Sequence, residues 1–178
     1  MEKEYTLTVF CENKTGLMAR IVSIITRRHI NIESFTASES SIKGIFRFTI
    51  MVVVNDEQVR KLITQIEKQV DVLKAFYYDN SEIIYQEIAL YKVSPELFFG
   101  GDKVETLVRK HNARILSIEK DYIVIEKTGH PDDTKALLNE LHSVGVYEFV
   151  RSGRVAIVKP MERLNTYLKS IKKLETIS

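Results

Sequence analysis

Asn13-Lys14-Thr15-Gly16 is the stretch of this 178-residue chain whose residue types and order best suit chemistry. A polar loop with one glycine runs here into an apolar-periodic segment, so the first N–H groups of a helix, which have no partner within it, converge on one point. Such a helix start favours an anion by about 0.3–1 kcal/mol when exposed and ~2 kcal/mol when partly buried. Gly16 lets a ligand approach the backbone with no Cβ in the way. The Asn13 side chain offers an oxygen to an ammonium and an amide nitrogen to a carboxylate. A zwitterionic amino acid satisfies both. The structural alternative is a glycine-bearing turn capped by Thr15, and residue chemistry alone leaves the two open.

Asn31 is a second polar group in an apolar setting, between Ile30 and Ile32. An asparagine inside an apolar strand costs stability unless its amide is paired, so a ligand contact and a surface-facing strand position are both consistent with it. The other reactive side chains form no constellation. His29, His111, His130 and His142 are scattered, and no HxxxH or CxxC spacing provides a metal site. His130 precedes Pro131 and reads as a helix-entry residue, and Cys11 as a small core residue of an alternating strand. There is no Gly-rich phosphate cradle, GxSxG elbow or HExxH helix.

Period-two alternation over 5–11 predicts a half-buried strand. Leu17, Ile21, Ile24 and Ile25 then share one stripe of a helix over 17–28, closed by Arg27-Arg28 at the negative end of its dipole. Residues 30–36 and 45–54 read as an antiparallel pair around a turn at 40–44. Asn55-Asp56 caps a second helix with Val59, Leu62, Ile63 and Ile66 inward, and 70–77 closes a β-α-β-β-α-β unit. After a polar break at 79–82 the order recurs. A strand over 88–93 leads to a helix opened near Gly101-Asp102 and marked by Val104, Leu107, Val108 and His111. A hairpin of 113–119 and 122–127 follows, then a helix from Pro131 with Leu137, Leu138 and Leu141 inward, then a strand over 144–150. Leu164, Leu168, Ile171 and Leu174 space one face of a final helix. The fold expected is α+β, two tandem ferredoxin-like βαββαβ units over 1–80 and 81–160 with a helical tail over 161–178.

Hydrophobic residues at 44% and charged residues at 28% are ordinary for a globular protein. A net charge of +2 is too small to argue for nucleic-acid or anionic-membrane binding. Residues 43–50 faintly resemble the aromatic strand of RNA-recognition motifs, but Phe46 and Phe48 occupy the wrong register and 5–7 lacks the second platform. The lone cysteine suits a reducing compartment, the charged N-terminus carries no signal segment, and no apolar run approaches bilayer length, so a cytoplasmic protein is expected.

The strings ENKTGLMARIVSIITRRHINIESF, VDVLKAFYY, EIALYKV, ARILSIEKDYIVIEKTG and VYEFVRSGRVAIVKP, in order over about residues 5 to 160, together resemble the small regulatory subunit of acetolactate synthase, an ACT-domain family. The resemblance implies an N-terminal ACT domain, a ferredoxin-like C-terminal domain and no catalytic residues of its own. It implies that the partner is the large catalytic subunit, carrying thiamine diphosphate, Mg and FAD, while this chain holds no cofactor and no metal. It further implies activation of that partner and feedback inhibition by valine or a related branched-chain amino acid, bound between the ACT domains of a homodimer. Asn13, Gly16 and Leu17 of one chain would hold the effector with Asn31 and Ile32 of the other, Leu17 and Ile32 lining an apolar slot. A stand-alone ACT-domain amino-acid sensor is the alternative. Two departures stand out: Leu17 where the family often has alanine or another small residue, and His29-Ile30 where a glycine-tyrosine pair is common.

Overall fold

The computed structural model describes residues 1–96, 103–143 and 145–159. The chain divides into two compact units, one built on Met1–Glu33, Ala37–Ile84 and the described residues from Ala156 on, the other on Tyr85–Val155 with Ser34–Thr36. Gly101-Asp102, the Val104 side chain, Val144 and the tail of 161–178 lie outside the description.

In the first unit the elements are β1 (Lys3–Glu12), α1 (Leu17–Thr26), β2 (Ile32–Glu39), β3 (Ile45–Val54), α2 (Asp56–Glu67) and β4 (Val72–Asp79). The strands form a sheet of order β2-β3-β1-β4, with β1 antiparallel to both neighbours. Leu7, for example, sits opposite Ile50 on one side and Tyr77 on the other. This central place corrects the expected half-buried strand: every residue from 5 to 11 is buried, Thr6 and Thr8 included. Leu17, Ile21, Ile24 and Ile25 bury one stripe of α1, and Val59, Leu62, Ile63 and Ile66 bury one of α2. Fully burying a side chain of this kind is worth about 1.5–3 kcal/mol, so these stripes fix both helices to the sheet. A capping box sets the start of α2. Asn55 accepts from the Gln58 N–H at 2.9 Å, and Gln58 accepts from the Asn55 N–H at 3.0 Å. At the other helix the regular turns stop at Thr26, two residues short of the expected end, and His29 takes a left-handed φ of 56° to turn the chain.

The second unit repeats the order with β5 (Ile83–Val93), α3 (Lys103–Lys110), β6 (Arg114–Ile118), β7 (Ile123–Gly129), α4 (Pro131–His142) and β8 (Val146–Arg151). Its sheet runs β6-β7-β5-β8, the same second-third-first-fourth sequence as in the first unit. Ala89, Tyr91, Val93, Val108, Ile123, Ile125, Leu137 and Leu141 form its core. Leu138, expected beside them, is only partly buried. Two differences from expectation stand out. Strand β5 begins five residues earlier than 88, because Glu87, only 5% exposed, is satisfied within it. Thr134 donates to this carboxylate at 2.5 Å and Arg151 lies 3.2 Å away, partners 47 and 64 positions distant that local pattern does not reveal. A further strand, β9 (Val155–Val158), follows Ser152 and Gly153 and also pairs with β5. No helix among the described residues is long and apolar enough to cross a membrane.

Candidate functional site

The loop from β1 to α1 is anchored on its inner side and open on its outer side. Glu12 donates its N–H to the Asp71 carbonyl at 3.0 Å, and Lys14 donates back to the Glu12 carbonyl at 2.9 Å. Arg20, one turn into α1, pairs with the Asp71 carboxylate. Between these anchors 13–16 is exposed. Gly16 occupies the N-cap with φ 83° and ψ −7°, a left-handed conformation that disfavours any residue with a Cβ. A Cβ built there meets no heavy atom within 4 Å, so the space in front of the loop is clear.

No side chain caps this helix, which removes the Thr15 cap considered from sequence. Arg20 donates to the Gly16 carbonyl at 3.1 Å, beginning the regular ladder, and Leu17 donates to Lys14 over a long 3.3 Å. The N–H groups of Gly16, Met18 and Ala19 take no acceptor among the described residues. No acidic residue stands in the first turn to oppose an incoming anion. The loop therefore presents donors and a positive dipole end to solvent, the arrangement that recognises a carboxylate. Asn13 is exposed beside it. Leu17 differs from expectation: at 1% exposure its side chain belongs to the core, and only its main chain faces the loop.

Asn31 and Ile32 lie beyond the far end of α1. Ten residues at 1.5 Å each put ~15 Å between the two ends of the helix, so one chain does not bring the two groups together. Asn31 precedes β2 rather than standing inside a strand, and it is exposed. Its Nδ2 donates to Glu33 Oε1 at 2.7 Å, a partner that the single-residue reading of Asn31 missed, although the i, i+2 spacing in an extended chain is its signal. Ile32 is half-buried.

Three of the remaining reactive groups, Cys11, His111 and His130, are structurally occupied. Cys11 is buried, and its thiol is pushed up to about 11 by desolvation and by Asp71, which leaves it protonated and inert at neutral pH. His111 lies 3.0 Å from Glu140, and His130 sits edge-on to the Tyr85 ring at 4.6 Å. Among the described residues no three His, Cys, Asp or Glu side chains gather as metal ligands.

Comparison with known proteins gives the family. The family model described as ACT domain matches residues 5–71, and the one described as small subunit of acetolactate synthase matches residues 86–160. The acetolactate synthase small subunit of Bacillus subtilis is 32% identical over 174 residues, covering 96% of this chain and 98% of its own. The chain belongs to the acetolactate synthase small-subunit family. Its counterpart in Mycolicibacterium smegmatis is 31% identical over 153 residues, 86% of this chain and 89% of that one. The crystal structure of the Thermotoga maritima small subunit superposes with a TM-score of 0.81 at 29% identity, over 89% of this chain and 98% of that one. Acetolactate synthase small subunits are regulatory and have no catalytic role of their own; the holoenzyme they belong to is a transferase. The relatives' name, small subunit of acetolactate synthase, places them in an assembly with a further subunit.

Proposed function

We propose that this chain activates the thiamine-diphosphate-dependent catalytic subunit of acetolactate synthase and makes it sensitive to a branched-chain amino acid, with valine the first candidate. In this reading residues 1–80 are the sensing ACT domain and 81–160 the C-terminal domain. Thiamine diphosphate, Mg and FAD belong to the catalytic partner. The observation that carries the sensing role is the uncapped start of α1, where Gly16 is left-handed, its front is open and several N–H groups await an acceptor.

The effector carboxylate takes those donors, and the Asn13 oxygen takes its ammonium. The Leu17 N–H, held only at 3.3 Å by Lys14, is free to turn to a charged acceptor. Asn31 and Ile32 complete the site from a second copy of the chain, since within one chain they stand at the wrong end of α1. Ile32 offers apolar surface to the branched side chain, while the Leu17 side chain stays in its own core. A ligand of about eight heavy atoms at ~0.5–1 kcal/mol each, inside the range small ligands reach, binds in the micromolar to millimolar range, which suits feedback by a metabolite. Binding across two chains stabilises one mutual arrangement over another, the differential affinity that allostery requires.

The test is reconstitution. The chain mixed with its catalytic subunit raises the rate of acetolactate formation, and added valine lowers it. A rate that responds to neither addition overturns the proposal.

A further inference from the structure

We infer that Glu33 is a positioning residue for the effector ammonium and makes the site select α-amino acids over 2-oxo acids of the same carbon skeleton. The inference rests on the effector site proposed above. Its starting point is the 2.7 Å hydrogen bond from Asn31 Nδ2 to Glu33 Oε1.

A carboxylate only accepts, so the Asn31 amide must turn its NH2 end toward Glu33 and its carbonyl end away. Residues i and i+2 of an extended chain share a side, which keeps the pair in register. The consequence is a fixed acceptor: Asn31 Oδ1 takes no donor among the described residues and, on an exposed side chain, is open to a ligand N–H. Glu33 Oε2 is also without a partner among them, and both side chains are exposed. This end of the site is therefore built of acceptors and negative charge, whereas the main chain at the Gly16 end offers donors beside the single Asn13 oxygen. A zwitterion matches both ends. A 2-oxo acid brings lone pairs instead of an ammonium, and meets Asn31 Oδ1 and the Glu33 carboxylate with repulsion.

The experiment titrates valine and its 2-oxo analogue, 3-methyl-2-oxobutanoate, calorimetrically into the full chain and into Glu33→Ala and Glu33→Gln. Wild type is expected to prefer valine. Glu33→Ala loses both the anchor and the charge and weakens valine by about tenfold. Glu33→Gln keeps an acceptor for Asn31 and loses only the charge, and weakens valine by roughly threefold. The oxo acid keeps its affinity or gains in both variants. Equal losses for the two ligands indicate a merely structural role and overturn the inference, as does valine affinity unmoved in both variants. Wild-type chain that takes up neither ligand, with folding intact, overturns the underlying site and this inference with it.

Discussion

Replacing Gly16 with aspartate places a carboxylate where the effector carboxylate is proposed to sit, and the structure separates its two consequences. The first is conformational. At φ 83° aspartate bears a left-handed strain of about 1 kcal/mol, modest because short polar side chains tolerate that region best. No steric cost adds to it, since a Cβ at this position meets nothing within 4 Å. For a chain of this size the strain lowers Tm by roughly 2–4 °C. The second is electrostatic. Two carboxylates ~4 Å apart at an effective dielectric near 20 repel by about 4 kcal/mol, and exposure to salt solution reduces this to ~2–4 kcal/mol. That corresponds to a loss of about thirty- to a thousand-fold in valine affinity. The new side chain also competes for the N–H groups of Met18 and Ala19, as N-cap aspartates do. Gly16→Ala is the control, with similar strain and no charge, and should lose far less. Calorimetric titration of valine into the three proteins, beside their thermal unfolding, measures both consequences. Wild-type affinity in a folded Gly16→Asp chain would falsify the anion role of the loop.

Three further perturbations test other parts of the argument. Asn31→Ala should weaken valine by about 1.5–3 kcal/mol, the worth of a hydrogen bond to a charged group, and an unchanged dissociation constant returns Asn31 to a purely structural position. His29→Gly should raise stability by about 1 kcal/mol in chemical unfolding, because His29 holds φ 56° at the exit of α1; a lower denaturation midpoint contradicts that account of the strain. Acid should destabilise the fold. The Tyr5 hydroxyl holds Asp56 below the usual carboxylate range, as hydrogen bonds from Lys110 and then His111 do for Glu140. A depressed folded pKa contributes stability that is present above the unfolded value of about 4–4.5 and is lost as pH falls through the folded value. Urea midpoints measured from pH 6 downward should hold until about pH 4.5 and then decline, and a midpoint that stays flat to pH 2.5 contradicts the pairing.

Most of both units was legible because their stabilising contacts are periodic. Leu17, Ile21, Ile24 and Ile25, or Val59, Leu62, Ile63 and Ile66, announce a helix and its inner face without any partner in view. The asparagine cap of α2 is equally local, with donor and acceptor three residues apart. What escaped depends on distant partners. Glu87 looks like an interruption until Thr134 and Arg151 close around it. Thr6 and Thr8 read as a solvent face, and the central place of β1 buries them. At the loop, the glycine and its polar neighbours were visible in the sequence, whereas its left-handed φ and the absence of a cap were not. His29 joins the two levels. The resemblance suggests glycine at its position, and a positive φ is the physical reason a glycine would suit it.

The length of α1 carries a consequence for how the effector can act. The carboxylate and ammonium of a valine zwitterion sit on one Cα, within the ~3.5 Å that a single extended residue spans. The donors at Gly16 and the acceptors at Asn31 are ~15 Å apart along one helix. A ligand touching both must therefore lie between two chains, with α1 of each contributing an opposite end. Affinity then depends on chain association, and by linkage valine must tighten that association by the same factor. Sedimentation of dilute chain with and without saturating valine reads this directly: the dissociation constant between copies should fall when valine is present. Full-strength valine binding to chain diluted to monomer would place both contacts in one copy, which the length of α1 forbids, and would move the site elsewhere.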